Sequence, residues 1–142
     1  MSFYTHITDP LLFACKLTKT VYNKKQGLLI WLPDTQSVMD FDNRLWRFEA
    51  ESFIPHQVLN INKSLTLNTT DIIIGSGSPP KDCPLQTVLN LSDYFFGNDI
   101  QFNRILELIE HNEQSMNNAR DRFRAYKQCG FELEHFNMEH KS

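Results

Sequence analysis

The chain has 142 residues, enough for one domain with a hydrophobic core that needs no covalent staples. Hydrophobic residues make up 41% and charged residues 22%, an ordinary globular balance that excludes a disordered chain. A net charge of −3 argues against a protein whose main partner is duplex nucleic acid, because phosphate contacts dominate that affinity and favour a basic balance.

Phe3 to Ile7 is rich in aromatic and β-branched residues and predicts a first strand. Asp9-Pro10 is a helix start, a cap followed by a proline at the first helical position. Leu11, Leu12, Cys15, Leu17, Val21 and Tyr22 give that helix an apolar stripe, with a stop near Gly27. Leu28 to Leu32 is an unbroken apolar run, the pattern of a strand covered on both faces. Pro33 and Asp34 open a second helix carrying Val38, Met39, Phe41, Leu45 and Trp46.

Asp71 to Gly75 predicts a third strand of the buried type and Thr87 to Leu91 a fourth. Asp93 to Phe102 suggests a short helix. Arg104 to Ile109 suits strand or helix, with strand preferred. A last helix is expected from about Glu113 to Cys129, ending at Gly130, and Phe131 to Glu134 alternates like an edge strand. Residues 135–142 read as a loose tail of a single domain spanning 1–142. Strands alternating with helices predict an α/β fold, a mostly parallel central sheet with helices on both faces.

Such a fold invites a nucleotide, yet the phosphate-binding loops are missing. The turn after the first strand, His6 to Leu11, contains no glycine to close tightly around a phosphate. Gly75 and Gly77 follow a strand, but Pro79 and Pro80 come next and supply no N–H donors. No GK[ST], HExxH, HxxxH or GxSxG pattern is present among the residues. Cys15, Cys83 and Cys129 are odd in number and widely spaced, which argues against a disulfide framework or a zinc site. Catalytic residues, metal and cofactor are therefore all expected to be absent. Residues 1–10 lack the basic start and apolar run of a signal peptide, and Leu28 to Leu32 is too short to span a bilayer, so a cytoplasmic protein without a membrane partner is expected.

Two stretches look like surfaces. Residues 119–131 hold four cations and one anion, a local +3, so the rest of this −3 chain carries −6. At 100° per residue Arg120, Arg124 and Lys127 share one helical face and Arg122 lies outside it. Met116 and Phe123 edge that face, and Ala119 and Tyr126 continue towards the core. Arginine grips a carboxylate bidentately and an aromatic floor buries an apolar side chain, so this face suits a peptide ending in acidic and apolar residues. A solvated basic face near the helix C-terminus is the competing reading. In the second stretch Trp46, Phe48 and Phe53 fall within eight residues beside charged neighbours, leading into Pro55 and His56. Aromatics and arginine are enriched in interface cores, although packing beneath a loop explains the same composition.

LWRFEAESFIPH (residues 45–56) and ARDRFRAYKQCGF (residues 119–131), in this order and at this separation, resemble the chi subunit of bacterial DNA polymerase III. Phe3-Tyr4 and the strand pair from Asp71 to Leu91 fit the same family, whereas residues 57–70 and the last eight residues match little. The resemblance implies a fold like a mononucleotide-binding domain without a nucleotide site. It also implies a noncatalytic clamp-loader accessory subunit that binds a psi subunit on one side and the acidic C-terminal tail of single-stranded DNA-binding protein on another, touching DNA only indirectly. By position, the tail pocket falls on Ile109, Met116, Arg120, Phe123 and Arg124, and helical geometry adds Lys127. The psi-facing surface falls on Trp46, Phe53, Pro55 and His56, a surface that a DinG-like helicase shares in some members. Met116 stands where the family can carry a lysine and Phe123 where it has a tyrosine, changes that weaken polar capture of the tail. The alternatives are a nucleotide-dependent enzyme, supported only by Gly75 and Gly77, and direct single-stranded DNA binding through the Arg-rich helix and Phe123.

Overall fold

A computed structural model describes residues 2–48, 55–58, 71–77, 85–96, 102 and 104–138. The elements in chain order are β1 (Ser2–Ile7), α1 (Pro10–Asn23), β2 (Leu28–Leu32), α2 (Thr35–Arg47), β3 (Gln57–Val58), β4 (Ile72–Ser76), β5 (Thr87–Asn90), β6 (Arg104–Glu110), α3 (Glu113–Gln128) and β7 (Glu134–Asn137). Among the described residues the strands form one seven-stranded sheet in the order β3-β4-β2-β5-β6-β1-β7. Every pairing in it is parallel. This is the α/β fold expected from the alternation of strands and helices.

Period-two alternation sends neighbouring residues of a buried strand into opposite layers. Leu28, Ile30 and Leu32 of β2 pack in one apolar layer with Ala14 and Cys15 of α1 and Val38, Phe41 and Leu45 of α2. Leu29 and Trp31 point the other way, into a layer shared with Ala119 and Tyr126 of α3. All five residues of β2 are buried, which is why its sequence runs apolar without a break. Each large side chain so buried contributes roughly 1.5–3 kcal/mol. The Trp31 indole N–H donates to the carbonyl of Gly77 at 3.0 Å, so the polar edge of this ring is satisfied at the end of β4.

Each helix starts on a side chain that takes an orphan backbone N–H. Asp9 accepts from Leu12 N, Asp34 from Ser37 N and Asn112 from Ser115 N. The helix ends differ more from expectation. α1 stops at Asn23, four residues before Gly27, and Lys25 makes the turn with φ 58°. α3 ends at Gln128, and Gly130 takes the left-handed conformation with φ 90°, where a side chain would be strained.

Three expectations need correction. Asp93 to Phe96 form no α-helix, and residues 97–101 lie outside the described part of the chain. The N–H groups that a helix would consume go elsewhere: Ser92 N to Asn90 Oδ1, Tyr94 N to Ser92 Oγ and Phe96 N to the Tyr126 hydroxyl. The edge strand is Glu134–Asn137 and not Phe131 to Glu134. Phe131 and Leu133 pack under α3 instead, Phe131 edge-on to Tyr126 at 5.6 Å, and pairing begins only where Glu134 meets Ser2. Residues 135–137 are consequently part of the sheet and not a tail; residues 139–142 lie outside the described part.

Candidate functional site: the two flanks of the last helix

In parallel α/β sheets ligands collect beyond the carboxyl ends of the strands. Here that place is a cleft of about 470 Å³ lined by residues that include Asp9, Pro33, Arg44, Asp93, Glu110 and Arg122. Four of these charges are paired, Asp9 with Arg44 and Asp93 with Arg122. Arg44 grips both carboxylate oxygens of Asp9 at 3.1 and 3.0 Å, and this hydrogen bonding holds the Asp9 carboxyl below the usual carboxylate range. Asp9 and Asp34 place carboxylates at the N-termini of α1 and α2, where a phosphate would otherwise meet free N–H groups. Like-charge repulsion opposes a phosphate there.

Beneath α3 the sheet carries a buried carboxylate. Glu107 is fully buried in β6 and accepts from Asn90 Nδ2 at 3.0 Å and from the Tyr126 hydroxyl at 2.6 Å. Arg122 Nε lies 3.6 Å from the same carboxylate, and its Nη1 donates to Asp93 at 3.0 Å. Burial pushes the Glu107 carboxyl up to about 7, against the opposing pull of Arg122 and the hydrogen bonds from Tyr126 and Asn90. Burial, then the neighbouring Glu107, raises the Tyr126 hydroxyl well above its ordinary range. Tyr126 and Arg122 thus fasten one flank of α3 to the sheet.

The opposite flank is open. Ala119 is buried, Met116 and Phe123 are half-buried, and Arg120, Arg124 and Lys127 are exposed. A cavity of about 370 Å³ is lined by Phe3, Thr5, His6, Met116, Ala119, Arg120, Phe123 and His135. Phe123 stands edge-on to Phe3 at 5.1 Å, so its ring is fixed before any ligand arrives. A second cavity of about 350 Å³ adjoins it, sharing His6, Met116 and Arg120 and adding His111, Asn112, Glu113 and Asn117. The structure therefore brings Met116, Arg120 and Phe123 together. Ile109 is not with them: it is 1% exposed and borders the cleft on the Arg122 flank. Arg124 and Lys127 continue the cationic row beyond the cavity.

Several residues of this cavity escape a sequence reading. His6 and His111 are 105 positions apart, and only the pairing of β1 with β6 brings their rings to 5.2 Å. Thr5 Oγ1 bonds His6 Nδ1 at 2.9 Å and His135 Nε2 at 2.6 Å. His135 was expected in a loose polar tail, and its position in β7 makes it a cavity wall.

The second expected surface lies on α2. Trp46 is 43% exposed, with its ring centroid 4.1 Å from that of His56, and His56 Nε2 meets Asp42 at 2.7 Å. Pro55 is exposed beside them, and Phe53 lies outside the described residues. Met39, 61% exposed on the same helix, extends the apolar surface. Val38, Phe41 and Leu45 take the buried stripe of α2, so Trp46 is left outside the core by the helical period itself. No group of three or more metal-ligating side chains occurs among the described residues, and none of their helices is long and apolar enough to cross a membrane.

Fold and surfaces together define an α/β domain with a parallel sheet, whose crevice carries the Asp9–Arg44 and Asp93–Arg122 ion pairs and whose open cavity lies beside a cationic helix. The chain belongs to the DNA polymerase III chi subunit family: the family model described as "DNA polymerase III chi subunit, HolC" matches residues 1–134. It is 29% identical over 123 residues to the DNA polymerase III subunit chi of Pseudomonas aeruginosa, covering 85% of this chain and 81% of that protein. Membership implies an accessory role in DNA replication.

Proposed function

We propose that this chain is a noncatalytic bridge in the DNA polymerase III holoenzyme, joining a psi-type clamp-loader subunit to the acidic C-terminal tail of single-stranded DNA-binding protein. The observation that carries this reading is the cavity formed by Met116, Arg120 and Phe123 at the head of a cationic row, in a member of the chi family. Arg120 supplies the charge-assisted contact, Phe123 and Met116 the apolar wall, and Arg124 and Lys127 draw the acidic residues along the helix. Ile109 belongs to the same apolar layer as Met116 and Phe123 but does not line the cavity. A coating protein offers many identical tails, so modest affinity per tail is amplified by multivalency.

The psi-type partner, and in some organisms a DinG-like helicase, takes the Trp46, Pro55 and His56 surface, with Phe53 assigned to it by family position. That surface lies on α2, in the layer opposite α3, so both partners fit at once. DNA is then contacted only through the coating protein, in the cytoplasm. The acid-capped helix starts and the Asp9–Arg44 pair speak against the nucleotide-dependent alternative.

The test is a fluorescence-anisotropy titration of a labelled peptide of acidic residues ending in phenylalanine. Arg120→Ala should weaken binding at least tenfold, about 1.4 kcal/mol or more. Unchanged affinity would sink the assignment. A single-stranded oligonucleotide binding as tightly as the peptide, with a steep salt slope, would instead favour direct DNA binding.

A further inference from the structure

The α2 and α3 surfaces leave part of the exterior unexplained. Large hydrophobic side chains are exposed on α2 and β3, at Met39, Trp46 and Val58, and again away from them, at Leu12 on α1 and Phe136 on β7. Around Leu12 the chain also carries charge of one sign. Residues 10–33 hold Lys16, Lys19, Lys24 and Lys25 and no Asp or Glu, a local +4, so the rest of this −3 chain carries −7. A solvated helix ordinarily interleaves both signs at i, i+4 spacing, and α1 does not. We infer that the outer face of α1 docks an extended acidic protein segment, with an apolar side chain of that segment in the recess beside Leu12, Phe13 and Leu17 and its carboxylates on Lys16 and Lys24.

Helical phase builds that face. Ala14, Cys15 and Thr18 turn towards the sheet and are buried. Lys16, Thr20 and Lys24 follow at i, i+4 and i+8 on the opposite side and are exposed, Lys24 as the C-cap. The two lysines stand about 12 Å apart along the axis, a span that about four extended residues cover. The Thr20 hydroxyl between them donates to the Lys16 carbonyl at 3.1 Å, so the lysines set the polarity of the row. Among the described residues no carboxylate pairs with Lys16, Lys24 or Lys25. Asp9, at the start of the helix, is held by two nitrogens of Arg44.

The apolar part of the face is a recess of about 280 Å³ lined by Leu12, Phe13, Lys16, Leu17 and Thr20, with Asp9 at its rim. Its floor is ordered before a ligand arrives. Phe13 lies 5.5 Å from Tyr4, and Tyr4 stacks on Phe136 at 5.1 Å with the rings 18° apart, so the aromatic strip continues to the edge of the sheet. An apolar recess beside a row of cations fits a peptide whose side chains alternate in kind. Single-stranded nucleic acid needs successive free ring faces for its bases, and here Tyr4 and Phe136 cover each other. α1 packs in the layer opposite α3, so the segment stays clear of the Arg120 cavity and its docking does not depend on the tail-docking reading above.

The experiment titrates a labelled peptide, acidic residues around one internal leucine with both ends blocked, by fluorescence anisotropy. The full chain carries Arg120→Ala throughout, which removes the α3 contact. In that background the peptide should bind saturably, and adding Lys16→Glu with Lys24→Glu should weaken it at least tenfold and flatten the salt dependence. Leu12→Ser should weaken it at least threefold with the salt dependence kept, which separates the recess from the lysine row. All three positions are exposed, and circular dichroism melts confirm that the variants fold. Absence of saturable binding, or a charge-reversed chain within threefold of its parent, overturns the proposal. It is equally overturned if a single-stranded oligonucleotide binds as tightly as the peptide and is lost with the same lysines, because the occupant is then nucleic acid. None of these results bears on tail docking, which is read from Arg120→Ala against the wild type.

Discussion

Arg120 and Arg122 sit two residues apart on one helix and have opposite fates. The Arg122 side chain is 10% exposed and spans Asp93 and the fully buried Glu107, whereas Arg120 is exposed at the mouth of a cavity, where its Nη1 donates to Asn117 Oδ1 at 3.1 Å. The same guanidinium serves structure on one flank of α3 and faces solvent on the other. What separates them is which side of the Ala119–Tyr126 stripe each falls on, since that stripe sets how the helix lies on the sheet. A basic helix is thus not one surface. Its formal charge overstates what a partner meets, because Arg122 is already neutralised from within.

The largest effect that can break this contrast is on stability. Arg122→Ala should cost about 3 kcal/mol at pH 8, because it leaves the buried Glu107 carboxylate without its cation. Urea denaturation at pH 8 and pH 5 checks this together with its sign. Glu107 is raised from 4.5 to about 7, so its protonated form favours the fold. Its contribution is full below about pH 4.5 and is lost as pH rises through about 7. Removing Arg122 raises that carboxyl further, so the variant's deficit should shrink at pH 5. A deficit that is equal at both pH values would mean Arg122 is not stabilising the charged form. Peptide affinity in the same variant should stay within twofold of wild type.

A smaller loss, about 2 kcal/mol, is expected for Tyr126→Phe, which leaves Phe96 N and one Glu107 oxygen short of a partner. Thermal or urea melts measure it, and a change below about 0.5 kcal/mol would show that the hydroxyl does not fasten the helix. The smallest effect belongs to the exposed row. Lys127→Ala should alter stability by less than about 0.5 kcal/mol and weaken an acidic peptide roughly two- to threefold, a difference that vanishes in high salt. A tenfold loss at Lys127 would move the centre of the docking surface away from the cavity.

Local chemistry carried much of the architecture. The apolar run Leu28 to Leu32 announces a strand buried on both faces, and Asp9-Pro10 and Asp34 announce helix starts, because these signals act through neighbouring residues. The segment from Asp93 failed for a related reason: Asn90 and Ser92 divert its backbone donors, and their own positions are set by Glu107 and Tyr126, seventeen and more residues away. The edge strand was misplaced because an exposed edge carries no apolar alternation; all four residues of β7 are exposed. On α3 the wheel separated Arg122 from Arg120, Arg124 and Lys127, since helical phase is a local property.

What the sequence determined by itself is therefore the α/β class, the limits of most strands and helices, the cationic face of α3 and, through long motifs, the family. The tertiary structure alone decided that Arg122 pairs inward, that Ile109 lies away from the Arg120 cavity, and that His6, His111 and His135 gather beside it. The physical reason is range. Propensity, capping and periodicity are read over a few residues, whereas a cavity is made where parallel pairing of β1 with β6 and β7 brings distant residues to one edge, and no local preference encodes that meeting.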